Sequence, residues 1–116
     1  MSNIVDWSKY VLRLTRETSE YQSGSWYNHS WNEKYQIVEY AETTCRGETI
    51  RIDNIEGEVI HITFFDEKTP KYGVYGVVSL QNPKDVLRND HAQGGSNEFV
   101  WERNDCVVLT LELKEN

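Results

Sequence analysis

The spacing of turn residues constrains the fold of this chain more than any other feature of its sequence. Glycine, asparagine and serine recur about every ten residues, and the segments between them are short and rich in Val, Ile, Thr, Tyr and Phe. Such residues favour strands, because β-branched and aromatic side chains pack well on a pleated surface. We therefore predict a mainly β fold over residues 1–116, a single-domain antiparallel sandwich or small barrel with a Greek-key-like strand order.

The clearest predicted unit is a hairpin whose strands, 48–54 and 58–65, flank Gly57. Glycine supplies the positive φ that a tight hairpin connection commonly requires. Alternating apolar and polar residues predict a closing strand at 106–113. Further strands are predicted at 10–15, 35–43, 74–80 and 99–101, loops at 66–73 and 89–97, and a turn at 103–105.

One short helix is predicted near residues 83–89. Asn82 is a suitable helix cap, Pro83 fits the first helical position, and Asp85 lies in the first turn. An alternative fold, α+β with an N-terminal helix, is indicated by Ile4, Trp7 and later apolar residues at spacings of three and four.

The charge is acidic and unevenly distributed along the chain. Residues 1–47 carry a net charge of −1 and residues 48–116 a net charge of −6, which together give the −7 of the whole chain. A negative surface repels nucleic-acid phosphates and anionic lipid head groups, so we expect neither nucleic acid nor a membrane as partner. A basic protein would instead be attracted.

Several classes of protein are disfavoured by features that the sequence lacks. No stretch approaches the ~20 apolar residues that a bilayer-spanning helix needs. The segment from Met1 to Trp7 has no secretory-signal pattern, so we expect a cytoplasmic protein with Cys45 and Cys106 as free thiols. Metal-ligand spacings and common catalytic motifs are also missing, and we expect no cofactor, no metal and no catalytic residues.

The most unusual segment runs from residue 23 to residue 35, where aromatic residues and a histidine lie among small polar ones. Its side chains could stack on a sugar or nucleotide-like ligand, anchor a protein partner, or cap one end of the core as a folded-over hairpin. The candidate binding residues are Trp26, Tyr27, Asn28, His29, Trp31 and Tyr35, with Tyr72 and His91 added from the two predicted loops.

These observations support a leading hypothesis and two alternatives. The leading one is a small acidic, non-enzymatic binding protein of the immunity or inhibitor type, which acts on a basic protein partner. A second is a small-ligand module that uses the segment from Trp26 to Trp31. A third is an enzyme in which His29 or His91 works with a nearby acid, which requires that they share one pocket. Free strand edges also permit a homodimer.

Overall fold

Eight antiparallel strands make up most of the computed structural model, which describes residues 4–67 and 69–115. The strands are β1 (Tyr10–Gln22), β2 (Ser25–Gln36), β3 (Glu42–Cys45), β4 (Glu48–Glu56), β5 (Val59–Asp66), β6 (Thr69–Ser79), β7 (Lys84–Gly95) and β8 (Val100–Leu113). A three-residue 3₁₀ turn, Trp7–Lys9, precedes them. Met1, Ser2 and Asn3, where the segment searched for a secretory signal begins, lie outside the described residues, as does Lys68 in the predicted loop 66–73.

The strands form two four-stranded sheets that face each other as a sandwich. One sheet, which we call sheet A, has the order β2-β1-β8-β7, and the other, sheet B, has the order β3-β4-β5-β6. The mainly β sandwich predicted from the sequence is confirmed. Every hydrogen-bonded neighbour is a sequence neighbour except β1 and β8, the first and last strands, so the order is up-and-down and differs from the Greek-key-like order that we expected.

The core lies between the two sheets and is built from their alternating aliphatic positions. Leu12 and Leu14 of β1 face Ile60, Ile62 and other apolar side chains of sheet B, all fully buried. The complete set of buried apolar residues in the cluster is Leu12, Leu14, Tyr35, Ile37, Ile50, Ile52, Ile60, Ile62, Phe64, Val78, Leu87, Val107, Leu109 and Leu111. One core of this size is sufficient to hold a domain of this length together.

The hairpin predicted around Gly57 is present as β4 and β5, and Gly57 has a φ of 60°. The strands predicted at 10–15 and 106–113 are also present, although β1 and β8 both extend well beyond those ranges. Local alternation identified these strands because each keeps one face buried in the core.

The helix predicted near 83–89 is wrong, because residues 84–95 form β7. Leu87 is buried in the core, and β7 pairs with β8 from Lys84 to Gly95. A long ladder of cross-strand hydrogen bonds thus overrides the local signals for a helix and for a loop at 89–97. The turn predicted at 103–105 is wrong for the same reason, since these residues lie inside β8.

Three other predictions also differ from the structure. The loop predicted at 66–73 is shorter, because β6 begins at Thr69. The strand predicted at 35–43 is interrupted, because β2 ends at Gln36, the chain crosses to sheet B, and β3 begins at Glu42. The alternative N-terminal helix is reduced to the turn Trp7–Lys9, and β1 starts directly after it. No helix in the described part of the chain is long and apolar enough to cross a bilayer.

Candidate functional site

Sheet A is longer than sheet B and projects beyond it. We call the projecting part, residues 17–31 of β1 and β2 with residues 89–105 of β7 and β8, the extension; the whole molecule is 66 Å long and only 22 Å thick. The inward positions of sheet A change from Leu14 and Val107 to Arg16 and Asp105 where the extension begins. Sheet B ends there because no apolar face remains for it to cover.

A cluster of five charged side chains closes this end of the core. Arg16 donates hydrogen bonds to Asp105 from Nε (3.1 Å, to Oδ1) and Nη2 (2.9 Å, to Oδ2), and Nη1 donates to Glu48. Arg88 donates to Asp66, and its Nη1 lies 3.7 Å from Asp105 Oδ2. The three carboxylates are almost fully buried and come from three different strands. We call these five residues the charge cluster.

The carboxylates of the charge cluster differ in their electrostatics. Burial raises the pKa of Asp105, but hydrogen bonds from Arg16 and Thr18 together with the charges of Arg16 and Arg88 outweigh it, so the pKa is below its ordinary value. Burial also raises the pKa of Glu48, and the charge of Arg16 only partly opposes this, so that pKa stays above its ordinary value. Three carboxylates share two guanidinium groups. The cost of burying the charge is offset less completely for Glu48 than for Asp105.

A cleft opens beside the charge cluster on the inner face of the extension. Its volume is about 470 Å³, its floor is formed by members of the charge cluster, and its walls include Asp90, Ala92 and Arg103. Asp90 Oδ2 lies 3.5 Å from Arg88 Nε, and Arg103 Nε lies 3.7 Å from Glu20 Oε1. Within the described residues Arg103 Nε is buried without a hydrogen-bond partner.

The aromatic segment is an exposed edge strand and not a hairpin folded over the core. Alternation along β2 places Trp26 on the outer face, where its ring contacts Tyr21 with the centroids 5.4 Å apart. Tyr27, His29 and Trp31 fall on the opposite face. Asn28 shares the outer face with Trp26 and is exposed. The rings of the segment are therefore divided between two faces, with Trp26 on one and the other three on the opposite one.

Four of the predicted site residues lie in different surroundings. Trp31 is partly covered by Arg46, whose guanidinium carbon is 5.7 Å from the ring centroid. Tyr35 is a core residue with 3% of its surface exposed. Tyr72 is exposed on β6 of sheet B, away from the others, and His91 lies on the outer face of sheet A, 2.7 Å from Glu102 Oε1. His29 and His91 thus lie on opposite faces and share no pocket.

The tip of the extension holds Trp26 and Tyr27 together with three apolar residues that were not among the sequence candidates, Phe99, Val100 and Trp101. We define the tip as residues 21–27 and 95–101, which contain the β1–β2 and β7–β8 turns; Gln22 pairs with Trp101, so the two turns lie side by side. Half or more of Trp26, Tyr27 and Val100 is exposed, and the exposed apolar residues of the tip are Trp26, Tyr27, Phe99, Val100 and Trp101. The sequence signal that could have identified residues 99–101 as part of the site is that they form an apolar run directly after a turn-rich segment.

The extension also carries most of the net charge. Residues 17–31 and 89–105 contain six acids and one base, a net charge of −5 out of −7. Four of the six acids come from residues 48–116, and Trp26 and Tyr27 of the aromatic segment lie at the tip, so the extension contains part of both features that the sequence singled out. Such a surface combines an attractive field for cations with side chains that bury well against a partner.

Comparisons of the chain with protein families, with curated proteins and with solved structures found no match. In the described residues, no three His, Cys, Asp or Glu side chains are placed to share a metal ion. The candidate site is therefore defined by its own geometry: an acidic extension with an apolar tip and a charged cleft at its base.

Proposed function

We propose that this chain is a non-enzymatic binding domain that uses the extension to hold a basic protein partner, as immunity proteins and small inhibitors do. The observation that carries the proposal is the position of five exposed apolar side chains at the tip of an extension with a net charge of −5. Aromatic anchors surrounded by carboxylates supply affinity at the centre of an interface and electrostatic steering around it.

The continuous strand pairing of the extension supports this proposal. Its four strands are joined by long ladders, with β1 and β8 paired from Gln22 and Trp101 to Tyr10 and Leu113. A surface that is already ordered loses little conformational entropy when it binds. The charge cluster fixes the base of the extension to sheet B through contacts of Arg16 with Glu48 and of Arg88 with Asp66.

The ligand-binding alternative has less support in this geometry. Stacking on a sugar or base requires neighbouring rings on one face. Trp26 lies on the face opposite Trp31, and of the three rings that share the inner face of β2, Tyr27, His29 and Trp31, the last is partly covered by Arg46. The exposed rings of the tip are instead spread around both turns. This wider distribution is more typical of a protein–protein interface than of a small-ligand site.

The test begins with a photo-crosslinking residue at position 99, and the same residue at position 72 serves as the control. A partner captured through position 99 alone is then purified, and its affinity is measured at increasing salt concentration. We expect Trp26→Ala and Phe99→Ala each to weaken binding about tenfold or more, and salt to weaken it further. Tyr72→Ala removes an exposed ring from sheet B and leaves the affinity unchanged.

Two outcomes would contradict the proposal. One is a partner that binds the Trp26→Ala and Phe99→Ala variants as tightly as the wild type. The other is an affinity that does not respond to salt, because steering by a net charge of −5 is screened at high ionic strength.

A further inference from the structure

The free edge of β2 is the least protected strand edge of the molecule. Residues 25–32 of β2 contain no charged residue, no proline and no glycine, and β2 forms the outer edge of sheet A. Native proteins usually protect such an edge with charges, proline, bulges or short length, because its unpaired backbone groups can pair with another strand.

The other exposed edges of the two sheets have such protection. β3 is four residues long and begins with Glu42. The projecting half of β7 contains Asp90 and ends in Gly94 and Gly95, and β6 contains Lys71 with two glycines. The edges of β3, β6 and β7 are protected and the edge of β2 is not, so the lack of protection is specific to β2.

We propose that two copies of this chain associate by antiparallel pairing of their β2 strands across a two-fold axis at His29. In this register, Tyr27 of each copy lies opposite Trp31 of the other, and His29 lies opposite its own equivalent. Cross-strand aromatic pairs of this type stabilise antiparallel sheets. Because residues 25–32 of β2 are uncharged in both copies, their pairing also places no carboxylate directly opposite another.

Charge complementarity favours a second copy in this orientation. Antiparallel pairing places Lys34 of each copy opposite Gly24 in the tip of the other, whereas the nearby Arg46 is already paired with Glu33 at 3.0 Å. The two extensions lie side by side in this register because His29 is one of their residues, but the segments that pair, residues 27–31, contain no charged residue. A two-fold axis requires the antiparallel arrangement, and in that arrangement one base of each copy, Lys34, lies beside the acidic tip of the other.

This dimer does not rest on the proposed function, because Phe99 and the β7–β8 turn take no part in the pairing. A variant with Phe99→Ala is expected to lose partner affinity and keep its self-association, whereas a variant of the β2 edge is expected to lose self-association. The two proposals can therefore fail separately.

The experiment is analytical ultracentrifugation of the whole chain over a range of concentrations. We expect the wild type to show a monomer–dimer equilibrium. His29→Lys and His29→Glu should each weaken the dimer about tenfold or more, because like charges then face each other at the axis. Thr43→Lys, which adds the same charge to the exposed edge strand β3, should leave the dimer unchanged.

An equimolar mixture of His29→Lys and His29→Glu provides the decisive measurement. Opposite charges at position 29 should restore association between the two variants, and circular dichroism should show that both retain the β fold. A wild type that stays monomeric at every concentration would overturn the proposal. So would a dimer that tolerates His29→Lys, or variants that fail to associate when mixed.

Discussion

Arg16 and Asp105 form a two-point contact between the first and last strands of the chain. Arg16 Nε lies 3.1 Å from Asp105 Oδ1, and Nη2 lies 2.9 Å from Oδ2. The two side chains are 13% and 7% exposed. This pair marks the level at which the apolar core ends and the extension begins, so its loss should affect the stability of the whole sandwich.

Asp105→Asn should therefore destabilise the protein by about 3 kcal/mol, because it removes one partner of a buried ion pair. Glu48→Gln should change stability by no more than about 1 kcal/mol, because it removes the excess carboxylate and leaves an oxygen that can accept from Arg16. Urea unfolding of both variants measures the difference. Equal losses of stability in the two variants would contradict the different roles assigned to Asp105 and Glu48.

The response to pH should separate the same two residues. The lowered pKa of Asp105 means that its contribution is complete above the ordinary range of an aspartate and is lost as the pH falls through the folded-state pKa. The raised pKa of Glu48 has the opposite sign: the folded state is penalised as the pH rises through the glutamate range.

The free energy of unfolding of wild type and Glu48→Gln should therefore be compared at about pH 4 and about pH 7, on either side of the upper carboxylate range. We expect the free energy of unfolding of Glu48→Gln to increase relative to that of the wild type as the pH rises. Asp105→Asn should be compared with the wild type at about pH 2 and about pH 5, on either side of the aspartate range, and we expect its deficit in the free energy of unfolding to grow as the pH rises. A variant-to-wild-type difference that is independent of pH would show that these carboxylates do not titrate differently in the folded and unfolded chains.

Tyr35→Phe should leave stability unchanged or raise it by up to about 1 kcal/mol, because removing an unsatisfied buried hydroxyl removes its desolvation penalty. Burial raises the pKa of Tyr35 to about 12, and in the described part of the chain its hydroxyl has no hydrogen-bond partner. Thermal unfolding provides the measurement, and a clear loss of stability would reveal a hydrogen bond from the hydroxyl in solution.

Gly95→Ala should disrupt the β7–β8 turn of the tip. Gly95 has a φ of 123°, and a Cβ at this position would lie 1.9 Å from the carbonyl oxygen of Phe99. That turn is closed by hydrogen bonds between Ser96 and Phe99 in both directions, at 2.7 and 3.2 Å. We expect a cost of about 2 kcal/mol or more from strain and displaced backbone.

Gly57→Ala is the matched control for the turn. Gly57 also has a positive φ, 60°, but no atom lies within 4 Å of the position that a Cβ would occupy there. Only the backbone strain remains, and we expect about 1 kcal/mol. Chemical denaturation of the two variants checks the order, and a larger cost at Gly57 would contradict the close packing at Gly95.

Sequence patterns predicted the strands whose signals are local. β4, β5 and the inner part of β8 alternate apolar and polar residues over their own length, and Gly57 marks the turn between β4 and β5. The signals at 82–85 are equally local, yet β7 forms there because its pairing with β8 decides the conformation. Local propensity is a weak preference that a complete hydrogen-bonded ladder outweighs.

The sequence also contained one unused signal for the site. Arg16 follows Leu12 and Leu14 on the same face of β1, and an arginine at an inward position indicates a buried partner or the end of the core. The identity of that partner could not be predicted, because Arg16 and Asp105 are 89 residues apart in the chain.

The sequence by itself determined the β class, the acidic charge, the central hairpin and the aromatic segment, since each depends on residue type or on short-range spacing. Only the tertiary structure decided which faces those residues occupy, which turns lie side by side, and that the apolar tip belongs to an extension with a net charge of −5. The physical reason is that a strand's neighbours across a sheet are chosen by burial and hydrogen bonding over the whole chain, and no local pattern specifies them.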